Sequence, residues 1–187
     1  MKYRDLDTPS LLIDREIMLE NLRFMQDYAD SRKVALRPHT KTHKMPYIAR
    51  LQLKLGAVGI AVAKVGEAEV MAANGLDDIF IANEIVGRQK LERIRKVAET
   101  CAIAFGVDNP CQVEDAERVF ASAAQPAHVL IEIEVGENRS GIIEEKDYLD
   151  LLETIRGCPH VQFKGIFSHD GHSYSAKDTE ECGLIFL

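Results

Sequence analysis

The segment from residue 37 to residue 44, RPHTKTHK, gathers the side chains that are best suited to chemistry. It carries a basic residue at every second position from 37 to 43, and it directly follows the apolar run Val34–Leu36, which predicts a short buried strand. Because side chains alternate between the two faces of a strand, these basic groups would share one face for as long as the strand continues. The spacing therefore predicts a dense local positive charge.

Two interpretations of this charge remain open. In the first, the segment is a solvated basic loop at the end of a strand. In the second, the basic groups line a pocket for an anionic ligand, since desolvating them without an anion is costly. A lysine held among other cations, such as Lys41 near His39, would then have a lowered amine pKa and could act as a nucleophile.

A second candidate cluster lies at the end of the predicted strand Val129–Val135. Its valines and isoleucines share one face, so Glu132 and Glu134 share the other, which in a barrel would look toward the lumen. A solvated edge strand would produce the same pattern. The loop that follows, residues 136–141 (GENRSG), carries Arg139 between two glycines that allow the backbone to approach a ligand.

A third polar cluster, residues 168–174 (SHDGHSY), follows the last predicted strand. His169, Asp170 and His172 have the chemistry of metal ligands, but the same composition is typical of an ordinary polar loop. We therefore assign no metal ligand in this chain.

Composition limits the classes of function. The chain has 187 residues and a formal net charge of −7, which disfavours nucleic-acid and anionic-membrane binding and makes the basic segment a local feature. No run approaches the roughly 20 apolar residues that cross a bilayer. The four cysteines are widely spaced, which predicts reduced thiols and a cytoplasmic protein.

Strand and helix patterns alternate along the whole chain, which predicts an α/β fold with a parallel sheet. The predicted strands are Ser10–Ile13, Val34–Leu36, Val58–Val62, Ile79–Ala82, Ala102–Phe105, Val129–Val135 and Phe163–Phe167. The predicted helices are Arg15–Ala29, Pro46–Leu55, Gly66–Asn74, Arg88–Thr100, Pro110–Ser122, Lys146–Ile155 and one that begins near Asp178. A barrel and an open doubly wound sheet both fit this pattern. An eight-stranded barrel needs roughly 200 to 250 residues, so we expect a barrel truncated after about six barrel strands.

The motifs resemble those of a known family. The RPHTKTHK segment looks like the signature of D-threonine aldolases and eukaryotic-type D-serine dehydratases, which belong to the alanine racemase-like, fold type III group of pyridoxal phosphate (PLP) enzymes. Supporting segments occur in the family's order at Asp7–Pro9 and at residues 64–69 (KVGEAE), 83–87 (NEIVG) and 136–141. The resemblance covers essentially the whole chain.

This resemblance implies a (β/α)8 TIM-type barrel of the alanine racemase N-terminal kind. Residues 1–187 would be part of the PLP-binding barrel domain, with the strand at residues 10–13 joining a β-rich C-terminal domain. Lys41 matches the lysine that forms the Schiff base with PLP, and Arg139 matches the arginine that hydrogen-bonds the phenolic oxygen of the cofactor. Tyr174 and His169 lie in a loop that contributes cofactor or substrate contacts. We predict Lys41 and His39 as the catalytic residues.

The implied function is action on D-3-hydroxy amino acids, with D-threonine aldolase-type cleavage to glycine and an aldehyde as the leading prediction. Dehydration of D-serine or 3-hydroxyaspartate, racemisation, and non-catalytic PLP binding remain alternatives. The resemblance also implies a divalent metal ion (Mn, Mg or Zn) with ligands outside this chain, and a homodimer.

Overall fold

The computed structural model describes residues 3–185, and these residues form an alternating series of strands and helices. The strands are β1 Ile60–Val62, β2 Asp78–Glu84, β3 Ala102–Val107, β4 Ala127–Ile133 and β5 Val161–Ser168. The helices are α1 Arg15–Ser31, α2 Pro46–Leu55, α3 Val65–Ala73, α4 Arg88–Val97, α5 Pro110–Phe120, α6 Glu145–Arg156 and α7 Thr179–Ile185. Short 3-10 turns cover Tyr3–Asp5, Thr40–Thr42 and Gly171–Ser175. The predicted α/β fold is confirmed, with bounds shifted by a few residues.

The sheet is wholly parallel, and its strands are neighbours in chain order, β1-β2-β3-β4-β5. Right-handed crossovers that always step in the same direction place successive helices side by side on one face of the sheet. A doubly wound sheet would instead reverse its strand order and carry helices on both faces. The observed order therefore selects the barrel type of winding.

The core lies between the sheet and the helices. Alternate strand residues pack against the helices in register, as in the row Ile81, Phe105 and Val129, all of which are buried. On the helix side, Leu91 and Phe120 are fully buried against this row. Each such side chain contributes about 1.5–3 kcal/mol through burial. The opposite face of the sheet is the concave one, and it is where polar side chains are found.

Local sequence signals set the helix ends. Asp14 begins α1 as a cap whose Oδ1 accepts the N–H groups of residues 16 and 17 at 3.0 and 3.1 Å. Pro46 and Pro110 occupy the first positions of α2 and α5, where a missing N–H costs nothing. Gly56 ends α2 with φ +127°, a conformation that favours glycine.

The predicted strand Val34–Leu36 is extended but is not a full strand of the sheet. The segment runs parallel to β1, where the Val58 N–H donates to the Leu36 carbonyl at 3.0 Å and His39 forms a single bridge with Ala61. Val34 is exposed. Its pairing beside β1 is limited to this one bridge, so among residues 3–185 the regular sheet begins at β1.

The prediction of a strand at residues 10–13 is wrong for the described part of the chain. These residues have no regular structure, and the side chains of Leu11, Leu12 and Ile13 are exposed. A strand requires a hydrogen-bonded neighbour, and these residues have none within residues 3–185. Their joining of a second domain stays a prediction.

The helix predicted near Asp178 is present as α7, which lies at the surface after β5. Among the helices of residues 3–185, none combines the length and apolar character that a bilayer-spanning helix requires.

We expect Phe120→Ala to lower the free energy of unfolding by about 3–5 kcal/mol, because it leaves a cavity between α5 and the sheet. Phe24→Ala is the matched control, since Phe24 is 72% exposed and its truncation should change stability by less than about 0.5 kcal/mol. Urea unfolding followed by circular dichroism measures both. Equal effects of the two substitutions would contradict this assignment of the core.

Candidate active site

The predicted reactive segment ends in a tight turn. After His39, residues Thr40–Thr42 form one turn of 3-10 helix, and His39 begins it by accepting the Lys41 N–H on Nδ1 at 3.2 Å. The buried Thr40 hydroxyl donates to the Ala61 carbonyl of β1 at 3.2 Å. The prediction that four basic groups share one strand face is therefore wrong, because the strand geometry stops at His39.

Arg37 lies apart from the other basic groups of this segment. Its guanidinium is 2.7 Å from the Asp78 carboxylate at the start of β2, so it is at the amino end of the strands. The anion that neutralises Arg37 is therefore the side chain of Asp78 and not a bound ligand. The remaining basic groups are left at the carboxyl end of the sheet, where sites of parallel α/β folds are built.

His39 and Lys41 share one cavity with the polar ends of the other strands. The cavity has a volume of about 390 Å³. Its lining residues are His39, Lys41, Ala63, Ala82, Asn83, Glu84, Glu132, Arg139, Ser140, Phe167, Ser168 and His169. The structure thus brings together four of the five predicted site residues, namely Lys41, His39, Arg139 and His169.

Burial gives the His39 ring a definite charge state. Its pKa is lowered, first by burial and then by the neighbouring Lys41 charge, while Glu67 acts in the opposite direction. Because Nδ1 accepts the Lys41 N–H, the hydrogen bond assigns the ring proton to Nε2. A neutral His39 lies beside the candidate lysine.

A pair of acidic side chains lies on the concave face. Glu132 is 3% exposed, and it interacts with Glu84 of β2. In the register of the sheet Glu84 is paired with Gly106 of β3. A Cβ at Gly106 would lie 2.8 Å from Phe167 Cζ and 2.9 Å from the Asn83 carbonyl, so a side chain has no room at position 106. Burial, followed by the neighbouring Glu132, raises the pKa of Glu84 to about 8.

Glu134 does not join this pair, contrary to the prediction that both glutamates face the lumen. β4 ends at Ile133, and the Glu134 carboxylate turns back to accept the N–H groups of Asn138 and Gly136 at 2.6 and 2.8 Å. These backbone hydrogen bonds lower its pKa. Glu134 therefore shapes the loop that carries Arg139.

Glu137 connects two of the predicted cofactor contacts. Its Oε2 lies 3.2 Å from an Arg139 guanidinium nitrogen and 2.9 Å from His169 Nδ1. Tyr174 is 82% exposed and packs edge-on against the His169 ring, with 6.1 Å between ring centroids. Tyr174 is thus placed behind His169 and does not line the cavity, and its cofactor contact stays a prediction.

Sequence reasoning missed Glu84 and Glu137. Glu84 could have been found, because Phe80, Ala82 and Glu84 alternate on one face of β2. Glu137 could not, because its position depends on the folding of two loops onto each other. Among the residues that the structure describes, no cluster of three or more His, Cys, Asp or Glu side chains could hold a metal ion.

We expect Glu84→Gln to stabilise the protein increasingly as the pH rises from about 4.5 to 8. In this window the unfolded chain loses the Glu84 proton while the folded protein keeps it, so stability of the parent falls; above pH 8 both states are ionised. A full shift corresponds to about 1.4 kcal/mol per pKa unit, but Glu84 is half-buried and screened, so the gain should total about 1–2 kcal/mol.

Urea unfolding at pH 5, 6.5 and 8 measures this difference. Glu99→Gln, at an exposed position after α4, is the control for loss of a carboxylate as such. A stability difference between parent and Glu84→Gln that stays constant with pH would contradict the raised pKa.

Known proteins resemble this chain in both sequence and fold. The family model of the alanine racemase N-terminal domain matches residues 13–183. A D-threonine aldolase of Arthrobacter sp. is 40% identical over 176 residues, which make up 94% of this chain and 46% of that protein.

Two solved structures resemble the fold. The crystal structure of D-threonine aldolase from Filomicrobium marinum has a TM-score of 0.92 and 37% identity, covering 98% of this chain and 49% of that one. D-threo-3-hydroxyaspartate dehydratase from Delftia sp. HT23 has a TM-score of 0.89 and 29% identity, covering 96% and 48%. The chain spans about half the length of the relatives it matches. Since the family model covers nearly the whole of a chain with this sheet and this rim, the chain belongs to the alanine racemase N-terminal domain family.

Proposed function

We propose that the protein is a PLP-dependent lyase for D-3-hydroxy amino acids, with cleavage to glycine and an aldehyde as its leading reaction. The observation that carries the proposal is the Lys41 side chain, which lines the cavity. It takes part in none of the ion pairs within residues 3–185. An unpaired primary amine beside a cavity is suited to condense with an aldehyde.

The residues around the cavity fit PLP. A volume of about 390 Å³ lies within the roughly 300–1,000 Å³ of small-molecule sites. In the proposal, Lys41 would hold the aldehyde carbon, Arg139 would donate to the phenolic oxygen, and His169 would flank the ring, with Tyr174 packed edge-on against His169. Because Glu137 contacts both Arg139 and His169, it would keep these two groups oriented toward the cofactor.

When bound, PLP withdraws electrons from the α-carbon of the substrate, so that a bond at this carbon can break. The chain supplies the groups that hold and move protons. His39 keeps Nδ1 on the Lys41 N–H, which leaves the Nε2–H free to donate a hydrogen bond to a bound group and to orient it. Glu84, protonated at neutral pH, is a second proton donor on the cavity wall.

Dehydration is the second candidate reaction. It is favoured by the Delftia dehydratase, whose fold matches with a TM-score of 0.89. Aldol cleavage removes the proton of the β-hydroxyl and breaks Cα–Cβ, whereas dehydration removes the α-proton and then the hydroxyl. We further propose that the whole protein uses a divalent metal ion and works as a cytoplasmic homodimer on free amino acids. Four cysteines that form no disulfide support the cytoplasmic part.

Borohydride reduction after addition of PLP should attach the cofactor to Lys41. Lys41→Arg keeps the positive charge but lacks a primary amine. We therefore expect it to abolish both the absorbance of lysine-bound PLP, at about 420 nm, and the label left by reduction. Lys54→Arg, at an exposed position of α2, is the matched control and should behave as the parent. Peptide mass mapping reads the labelled position, and a label on Lys44 would overturn the assignment.

Product analysis separates the candidate reactions. With PLP and Mn²⁺ or Zn²⁺ added, we expect D-threonine to give glycine and acetaldehyde in equal amounts. Release of ammonia and a 2-oxo acid from D-serine or 3-hydroxyaspartate would favour the dehydratase. Neither product from a protein that carries labelled Lys41 would point to a non-catalytic PLP-binding protein.

A further inference from the structure

Glu67, in the first turn of α3, lies at an unusual junction. Its side chain is only 12% exposed. Oε1 is 3.0 Å from the Lys44 amine, and Oε2 accepts the Ala63 N–H at 2.8 Å. The carboxylate thus faces two different segments of the rim, with Oε1 in an ion pair with Lys44 and Oε2 in a hydrogen bond with the Ala63 amide. Although burial acts to raise it, the pKa of Glu67 is lowered, because Lys44 and the Ala63 amide stabilise the carboxylate.

Both partners of Glu67 are connected to the residues that line the cavity. Lys44 ends the turn that presents Lys41, since its N–H donates to the Thr40 carbonyl at 2.8 Å. Ala63 follows β1 and lines the cavity, and its carbonyl accepts the Asn83 side-chain amide at 3.2 Å. The backbone of Ala63 is therefore held at its N–H by Glu67 and at its carbonyl by Asn83.

We propose that Glu67 is a positioning residue for Lys41, acting through Lys44 and the Ala63 amide. The inference rests on the proposed role of Lys41 as the residue that binds PLP. In this arrangement the Glu67 carboxylate fixes the end of the Thr40–Thr42 turn against β1. The Lys41 amine is then presented to the cavity with less freedom than a lysine on a mobile loop would have.

The chain offers internal comparisons for both members of the ion pair. Lys33 also has a left-handed backbone, with φ +57° against +52° for Lys44, yet it forms no ion pair within residues 3–185. A lysine with a positive φ therefore does not form such an ion pair merely because of its backbone conformation. Glu69, two residues after Glu67, pairs with Arg93 of α4 between two partly exposed helices, away from the cavity. It is an ion pair of similar chemistry without the link to the turn.

The first test does not depend on PLP. Glu67→Gln keeps the shape and an amide oxygen for the Ala63 N–H but removes the charge that holds Lys44. We expect hydrogen exchange of the Lys44 N–H to become at least about threefold faster, whereas Glu69→Gln should leave it unchanged. Equal exchange in the parent and in Glu67→Gln would overturn the inference, whatever the protein does with PLP.

The second test reads the consequence at Lys41. We expect Glu67→Gln to weaken the apparent affinity for PLP, measured by absorbance, by about three- to tenfold, as for the loss of one partly buried ion pair. Lys44→Gln should have the same effect, and the double variant should be no worse than either. Lys44→Arg, which keeps the charge, should restore binding to within about twofold of the parent.

Thermal unfolding of the same variants separates positioning from stability. A lower unfolding temperature with unchanged PLP affinity would mean a structural ion pair only and would overturn the inference. Failure of the parent itself to label Lys41 would instead overturn the proposed function, and the exchange experiment would still decide the role of Glu67 in the turn.

Discussion

Two hydrogen bonds between residues 38–40 and β1 determine where the candidate site of this molecule lies. The Pro38 carbonyl accepts the Ala61 N–H at 2.8 Å, and the buried Thr40 hydroxyl donates to the Ala61 carbonyl. An unpaired buried hydroxyl or carbonyl would cost roughly 1–3 kcal/mol, so the segment cannot easily leave β1. Everything after Thr40 must then turn at the carboxyl end of the sheet, which is where Lys41 and His39 meet the ends of the other strands.

Acidic side chains on the concave face of the sheet lie near this basic turn, but one of them is not ionised at neutral pH. Glu84 interacts with Glu132, and a raised pKa keeps a proton on Glu84 near neutral pH. The pair therefore adds less negative charge to the cavity than two free carboxylates would. The fixed carboxylates lie at the periphery, where Glu67 holds Lys44 and Glu137 holds Arg139. The charged partners thus lie beside the loops of the rim, while Glu84, which lines the cavity, keeps its proton.

Much of the fold could be predicted from sequence because hydrophobic spacing and helix caps are local. Asp14, Pro46 and Pro110 mark helix starts, and the alternation of strands and helices gave the parallel sheet. Predictions that depended on a neighbour failed: within residues 3–185 no strand pairs with residues 10–13, and Arg37 pairs with Asp78, 41 positions later.

The same division applies to the candidate site. The motif around Lys41 was recognisable because it is contiguous in sequence. The geometry of the motif could not be predicted. Alternation along a strand places the basic residues on one face only until a turn intervenes, and the sequence pattern does not mark Thr40 as the start of a turn. Glu134 illustrates the same limit at β4, where the strand ends one residue too early for both glutamates to face the lumen. Strand ends decide which polar side chains reach a rim, and they are set by loop hydrogen bonds rather than by hydrophobic pattern.

The fold of this chain bears more on the proposed cofactor than on the proposed reaction. Proteins named as an aldolase and as a dehydratase match the chain with TM-scores of 0.92 and 0.89, so the backbone that carries Lys41 and Arg139 is compatible with both outcomes. Holding a cofactor requires an amine, a donor for its oxygen and a shaped cavity. Choosing between Cα–Cβ cleavage and loss of a hydroxyl requires a base placed at a particular substrate atom. On the cavity wall, Glu84 holds a proton near neutral pH and His39 presents its Nε2–H as a hydrogen-bond donor, and their distances from the substrate β-hydroxyl or α-proton would influence which bond breaks.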